Sequence, residues 1–221
     1  MSPLEPNVLN DLFFQQQVQT LYTLTEASTE AGPFVATSDL KDWSRVDLSD
    51  DDSLIAGLQT AAVRYVENVT KLRMLRTTLT VRYNMVPTWD SLALPFGPFY
   101  YGSASDLTVS YTDSDGASQT FAATNYVVPA SGTLIPRLGL KQGKEWPTLA
   151  DQDGAVMVEY KAGIGVASPI TGIEVEPLKL AVKMLVAHWY EHREAVDPVK
   201  MQIVPHGVDR ILAQYQTQRA F

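Results

Sequence analysis

The chain has 221 residues, of which 45% are hydrophobic and 19% are charged, and this composition is that of a globular protein with one or two domains. Its 25 acidic residues outnumber its 17 basic residues and give a formal charge of −8, which argues against a protein that grips nucleic acid by neutralising phosphates. The absence of cysteine excludes a disulfide scaffold and a thiolate zinc site.

The first residues, Met-Ser-Pro-Leu-Glu-Pro, have neither a positive cluster nor an apolar run, so we do not expect a signal peptide. No stretch approaches the roughly 18 apolar residues that a membrane span requires. The sequence therefore predicts a soluble intracellular product without a membrane segment.

Residues 1–35 are predicted to form an N-terminal extension arm. From Val8 to Leu24 apolar residues occur among glutamines at a spacing that fits neither a helix nor a strand. Thr25 to Gly32 is small and polar, which predicts a linker. Such an arm packs either on its own domain or on a neighbouring molecule, and the residues alone leave both possibilities open.

Two helices are predicted over residues 36–71. The first covers Thr37 to Val46 with Ser38 as its cap. The second begins after Ser49-Asp-Asp-Asp52, which is similar to a capping box and places acids at the positive end of the helix dipole. Its predicted apolar stripe consists of Leu54, Ile55, Leu58, Ala61, Ala62, Tyr65, Val66 and Val69.

Residues 72–165 predict a small antiparallel β-rich unit inserted between helices. Alternating apolar residues indicate strands over Thr77 to Met85, Leu107 to Tyr111 and Val156 to Tyr160. Asp115-Gly116 lies between two such runs and predicts a hairpin turn. The same turn has an Asp-x-Asp-Gly pattern but lacks the full spacing and final glutamate of a calcium loop.

Residues 170–221 predict two C-terminal helices and a tail. Pro177 suits a first helical turn, and the helix after it has an apolar stripe of Leu178, Ala181, Val182, Leu185, Trp189 and His192. The next helix has the corresponding pattern in Val208, Ile211, Leu212 and Tyr215. We expect Leu185, Trp189, His192 and Ile211 to pack these helices together.

The first of these helices also contains His188-x-x-Glu191-His192, the H-x-x-E-H pattern of one class of zinc peptidases. Two histidines four residues apart can face one metal ion, with Glu191 as the base. However, His192 falls on the predicted packing stripe, and a third ligand has to come from Glu194, Asp197 or Asp209. We therefore predict no catalytic residue, metal or cofactor, since no nucleotide, phosphate or nucleophile motif occurs either.

Short segments occur in a recognisable order between about residue 36 and residue 215. They are Asp-Leu-Lys41, Arg-Val-Asp47, Asp-Asp-Ser-Leu-Ile55, Tyr-Val-Glu-Asn68, Leu94-Pro95, Val109 to Gly116, Glu145-Trp-Pro147, Val158 to Gly163, Leu185 to Val196 and Pro205 to Asp209. The ordered set resembles the head-tail connector (adaptor) proteins of long-tailed phages and gene transfer agents, in their form with a β insertion. The arm at 1–35 departs from the usual short start of that family.

The resemblance implies an α+β fold, in which a helical bundle carries a small antiparallel β unit. It implies a homo-oligomeric ring, with twelve copies as the expected number, that docks on the portal protein and binds the next neck protein, the stopper, below. DNA would pass through the lumen without specific binding. The protein would be made in the host cytoplasm and would reside in the virion, at the head-tail junction.

Connectors of this family use C-terminal segments to engage the portal, so the resemblance also implies portal contacts for the tail. We expect Arg219 to pair with a portal carboxylate and Phe221 to fill an apolar pocket, with Tyr215 and Gln218 beside them. The alternative to portal contacts is a disordered tail that binds no partner. Two other functions stay open for the whole chain: another neck or tail ring protein, such as a stopper or terminator, and the zinc hydrolase.

Overall fold

The computed structural model describes residues 22–47, 49–84, 91–166, 169–192 and 206–216. Within these ranges the chain has an α+β fold with four α-helices and two antiparallel sheets, which confirms the predicted fold class. The buried residues form two hydrophobic clusters, one among the helices and one among the strands. The helices in these ranges are too short or too polar to cross a lipid bilayer.

The helix α1 spans Thr37–Ser44. Its predicted cap, Ser38, lies inside the helix, because the N-cap position belongs to Ala36 and no side chain caps this end. Phe34 and Val35, the residues just before the cap, are 4% and 1% exposed in the helical cluster. Burial of these two side chains therefore positions the start of α1.

The helix α2 spans Asp52–Thr70 and starts without the predicted capping box. Its N-cap residue is Asp51, whose carboxylate accepts a hydrogen bond from the Tyr190 hydroxyl at 2.5 Å and makes none to the helix backbone. Asp52 accepts a hydrogen bond from Lys41 of α1 at 2.7 Å. The acidic start of α2 thus connects this helix to two other helices.

The buried face of α2 is rotated relative to the predicted stripe. Leu54 and Ala61 are exposed, and the buried residues are Ile55, Gln59, Ala62, Val63, Val66, Glu67 and Thr70. Gln59 is tolerated on this face because its amide donates a hydrogen bond to the backbone oxygen of Val35 at 2.5 Å. A stripe drawn from apolar residues alone omits the polar members of the face.

The C-terminal helices α3 and α4 span Glu176–Glu191 and His206–Ala213. Pro177 lies in the first turn of α3, where the missing N–H group is not needed. α3 packs against α1, α2 and α4, so it is the central helix of the bundle.

The strands are β1 (Tyr22–Thr29), β2 (Thr77–Tyr83), β3 (Ser91–Ala93), β4 (Phe99–Tyr100), β5 (Leu107–Thr112), β6 (Ser118–Thr120), β7 (Tyr126–Val127), β8 (Arg137–Leu140) and β9 (Val156–Ala162). The larger sheet has the order β1-β2-β9-β5-β6, and β4 also pairs with β9. The smaller sheet has the order β3-β8-β7. The three strands expected from alternation are present as β2, β5 and β9.

The hairpin predicted at Asp115-Gly116 joins β5 to β6. Gly116 has a φ of 82°, a left-handed conformation that glycine adopts without steric cost. The Asp113 carboxylate accepts hydrogen bonds from the backbone N–H groups of Asp115 and Ala117, at 3.1 and 2.9 Å. This carboxylate therefore closes the turn, as expected for a turn rather than a calcium loop.

The linker prediction for Thr25 to Gly32 is wrong, because most of this segment belongs to β1. β1 pairs with β2 in antiparallel register from Tyr22↔Tyr83 to Thr29↔Thr77, with a bulge between Glu26 and Ser28. Its side chains are small and polar because β1 is an edge strand with most residues exposed. Polar composition indicated a loop, whereas long-range pairing with β2 produces a strand.

Candidate assembly surface

The C-terminal helices pack through a row of apolar side chains. Leu185 of α3 and Val208 and Leu212 of α4 are completely buried, and Ile211 is partly buried against them. Trp189 is also partly buried against the helical cluster. Three of the four residues expected to pack these helices thus lie at the helical cluster.

His192, the fourth of these residues, lies elsewhere. It occupies the C-cap position of α3 and is exposed, so the stripe predicted through it ends before it. Its backbone has φ −108° and ψ 58°, which is not helical, and the period of the helix no longer applies there. Its ring nitrogen Nδ1 lies 2.9 Å from the backbone oxygen of His188.

The H-x-x-E-H pattern does not gather a metal site among the described residues. The rings of His188 and His192 lie 4.6 Å apart, while Glu191 is exposed. No group of three or more histidine, aspartate or glutamate side chains able to hold a metal occurs in the described ranges. Of the candidate third ligands, Glu194 and Asp197 lie outside the described residues.

Tyr215 anchors the end of the described chain. Its hydroxyl donates a hydrogen bond to the backbone oxygen of Glu174 at 2.7 Å, just ahead of α3. Burial, together with the charge of Glu174, raises the pKa of Tyr215 and keeps the hydroxyl in its donating form. Gln216 follows as an exposed residue, and the other three predicted portal contacts, Gln218, Arg219 and Phe221, lie outside the described residues.

A cluster of four charged residues, two of which are buried, connects α2 to the larger sheet, and no local sequence pattern indicates it. Glu67 of α2 is 3% exposed and accepts hydrogen bonds from Arg73 at 2.8 Å and Arg64 at 3.1 Å. Both arginines also pair with Glu26 of β1. We call Glu26, Arg64, Glu67 and Arg73 the charge cluster.

The charge cluster is completed by backbone and aromatic contacts. Glu67 also accepts a hydrogen bond from the backbone N–H of Met74 at 2.9 Å, and the guanidinium of Arg73 lies 4.1 Å from the centre of the Phe96 ring. The hydrogen bond from Arg64 and the nearby charge of Arg73 outweigh burial and lower the pKa of Glu26. No local sequence pattern brings these residues together, because they come from β1, α2 and the connection after α2.

A second buried carboxylate, Asp106, closes the loop after β4. It is 4% exposed and pairs with Lys161 of β9 at 2.6 Å. Its Oδ2 atom accepts the backbone N–H groups of Gly102 and Ser103, each at 2.8 Å. Burial raises the pKa of Asp106, but the Lys161 hydrogen bond and charge and the two N–H groups outweigh it, so the pKa lies below the ordinary value of 3.8.

This lowered pKa predicts a loss of stability in acid. A carboxylate whose pKa is lower in the folded state stabilises the fold above its unfolded pKa and loses that contribution as the pH falls through the folded pKa. We expect Asp106→Asn to lower the free energy of unfolding at neutral pH. In this variant the free energy of unfolding should also fall less steeply below pH 3.8. Urea unfolding across the acid range measures both effects. Exposed Asp153 is the control, and an Asp106→Asn profile parallel to that of Asp153→Asn would contradict the prediction.

Several large apolar side chains are exposed on the described surface. Trp43 of α1 is 49% exposed and Val127 of β7 is 53% exposed, and Tyr101, next to β4, is 37% exposed. Exposed aromatic residues of this size commonly act as anchors in protein interfaces. The described surface thus offers contact points on both the helical and the strand-rich parts of the chain.

Comparisons with known proteins find chains of similar fold in gene transfer agent particles. No protein-family model and no curated protein sequence matches the chain. A chain of the virion of a native gene transfer agent (GTA) particle matches with a TM-score of 0.69 and 22% identity, covering 90% of this chain and 97% of that chain. Chains from the neck of an empty GTA particle computed with C6 symmetry and of a native one computed with C12 symmetry match with TM-scores of 0.69 and 0.67, each with 20% identity and the same coverage. The fold is therefore shared with proteins of GTA particles.

Proposed function

We propose that this chain is a structural head-tail connector (adaptor) protein of a virion neck. It forms a ring that docks on the portal and joins the capsid to the neck and tail around the DNA passage. The observation that carries this proposal is the fold shared with chains of GTA necks, over 97% of the length of those chains. The ordered sequence segments between residues 36 and 215 support the same family independently.

A ring of identical copies is the second part of the proposal. The necks that contain the similar chains were computed with C6 and C12 symmetry, which supports a cyclic assembly, and we propose twelve copies. A ring requires a heterologous interface, in which two different surfaces of each copy meet. The exposed apolar residues Trp43, Tyr101 and Val127 are candidates for these surfaces and for contacts with the portal and the stopper.

The experiment that tests this function is assembly of the purified full-length chain with the portal protein of the same particle. Mass photometry and negative-stain imaging should show rings, and mixing with portal should give a larger particle with the ring on one face. A chain that stays monomeric both alone and with portal would contradict the connector proposal. Rings that bind tail proteins but never the portal would instead favour a terminator.

The acidic composition suits a passage through which DNA slides. With 25 acidic and 17 basic residues the chain repels phosphate overall, and we propose that DNA passes through the lumen without specific binding. Purified protein is expected to cause no shift of duplex DNA in electrophoresis at physiological salt. Tight binding that weakens steeply with salt would contradict this expectation and indicate a basic face.

The tail gives a prediction that separates folding from attachment. We propose that Gln218, Arg219 and Phe221 contact the portal, and that Tyr215 fixes the point from which they extend through its bond to Glu174. A stop codon after Gln216 removes the tail but keeps this bond, so the melting temperature is expected to stay unchanged while portal attachment weakens. Co-sedimentation with portal measures attachment, and wild-type attachment by the truncated protein would show that the tail is not the anchor.

A further inference from the structure

Among the described strands, β1 lies at one end of the larger sheet and pairs with β2 on one side. β1 ends the strand order of the larger sheet and has eight residues, whereas β6 at the opposite edge has three. Proteins usually protect such long edges with lysine or proline. β1 contains neither residue, and its protective features are the bulge between Glu26 and Ser28 and the charge of Glu26, which is directed to Arg64 and Arg73.

The sequence in front of β1 is suited to reach beyond its own domain. Residues 12–21 contain no glycine, proline, asparagine or aspartate, the residues that form tight hairpin turns. The sequence therefore carries no signal for a tight hairpin between this segment and β1 of the same chain. Ten extended residues span about 33 Å. This length is roughly twice the radius of gyration of about 17 Å that is expected for a domain of this size, so the segment is long enough to reach a neighbouring copy.

The chemistry of this segment matches the edge that it would meet. It contains Phe13, Phe14 and Val18, which are residue types favoured in strands, together with a run of glutamines. On β1, Tyr22 and Leu24 are partly buried and pack against the hydrophobic cluster of the strands. A strand added beside β1 would place alternate apolar side chains next to these two and extend that cluster.

We propose that residues 12–21 of each copy add as an extra strand to the outer edge of β1 of a second copy. The proposal rests on the ring-forming function above and assigns the surfaces that join neighbouring copies. The contact is heterologous, since a segment of the donor meets a strand edge of the acceptor, and its repetition around an axis closes a ring. Backbone hydrogen bonds would provide affinity, and the alternate side chains would provide specificity.

Disulfide cross-linking tests the pairing directly, because the natural chain has no cysteine. One full-length protein carries Thr25→Cys in β1, and a second carries Gln15→Cys, Gln16→Cys or Gln17→Cys, so that consecutive positions sample both faces of the added strand. After the two proteins are mixed under oxidising conditions, we expect covalent dimers that contain one copy of each. Thr120→Cys in β6 is the matched control, since it is an exposed threonine on the opposite edge and should give none.

Hydrogen exchange provides a measurement that does not depend on the register of the added strand. Ring assembly should slow exchange at residues 23–27 and in the N-terminal segment, and leave residues 118–120 of β6 unchanged. Rings without this protection and without the cross-link would overturn strand addition while leaving the connector function intact. Cross-linked dimers without rings would support strand addition and contradict the connector function, and the absence of both would overturn both proposals.

Discussion

Replacing Glu67 with glutamine is expected to lower the free energy of unfolding by about 3 kcal/mol, the lower end of the range for breaking a buried ion pair. Glu67 is 3% exposed and accepts hydrogen bonds from Arg73, from Arg64 and from the backbone of Met74. Without its charge, the buried guanidinium of Arg73 keeps Glu26 as its one ionic partner among the described residues. Chemical denaturation of the variant measures the loss.

Two further variants make this prediction specific to the charge cluster. Glu159→Gln is the same chemical change at an exposed position of β9 and should alter the free energy of unfolding by no more than about 0.5 kcal/mol. The double variant Glu67→Leu/Arg73→Met replaces the pair with apolar side chains and should be more stable than either single change. Equal losses for Glu67→Gln and Glu159→Gln would show that the cluster does not stabilise the fold.

Leu185→Ala is expected to cost about 2–5 kcal/mol, because it removes a completely buried side chain and leaves a cavity in the helical cluster. Leu180→Ala provides a matched control on the same helix. Leu180 is 37% exposed, so its truncation should cost no more than about 0.5 kcal/mol. Thermal and urea unfolding of the two variants test this difference.

A similar loss in both variants would contradict the packing of α3 described above. His192→Ala extends the same comparison to the end of the helix. Since His192 is exposed at the C-cap position, its replacement should leave the unfolding midpoint close to that of the natural chain. Trp189→Ala should fall between the two leucine variants, because Trp189 is only partly buried.

The elements that local patterns determine were predicted well. β2, β5 and β9 alternate because one face of each packs in the cluster of the strands, and alternation is visible in a single sequence. α3 was predicted because it presents a regular apolar stripe from Leu178 to Leu185. The turn at Asp115-Gly116 was predicted because its backbone geometry requires particular residues.

The features that local sequence patterns do not indicate depend on partners distant in the chain. β1 has an exposed, polar sequence, and its strand conformation comes from pairing with β2. Glu67 interrupts the apolar pattern of α2, and its contacts with Arg73, Arg64 and the backbone of Met74 explain its burial. His192 was placed on the stripe because periodicity does not indicate where a helix stops.

The central position of β9 has a consequence for when the larger sheet forms during synthesis. β9 pairs with β2, β4 and β5, yet among the described strands it is the last to leave the ribosome, after all of these neighbours. At a synthesis rate of about 5–20 residues per second, β2 is made several seconds before this partner. Until Val156–Ala162 emerges, the only pairings of the larger sheet open to the described strands are β1 with β2 and the hairpin of β5 and β6. A nascent chain stalled before Val156 therefore lacks the complete sheet. The edges of β2 and β5 that pair with β9 in the folded protein are then exposed to proteases and chaperones.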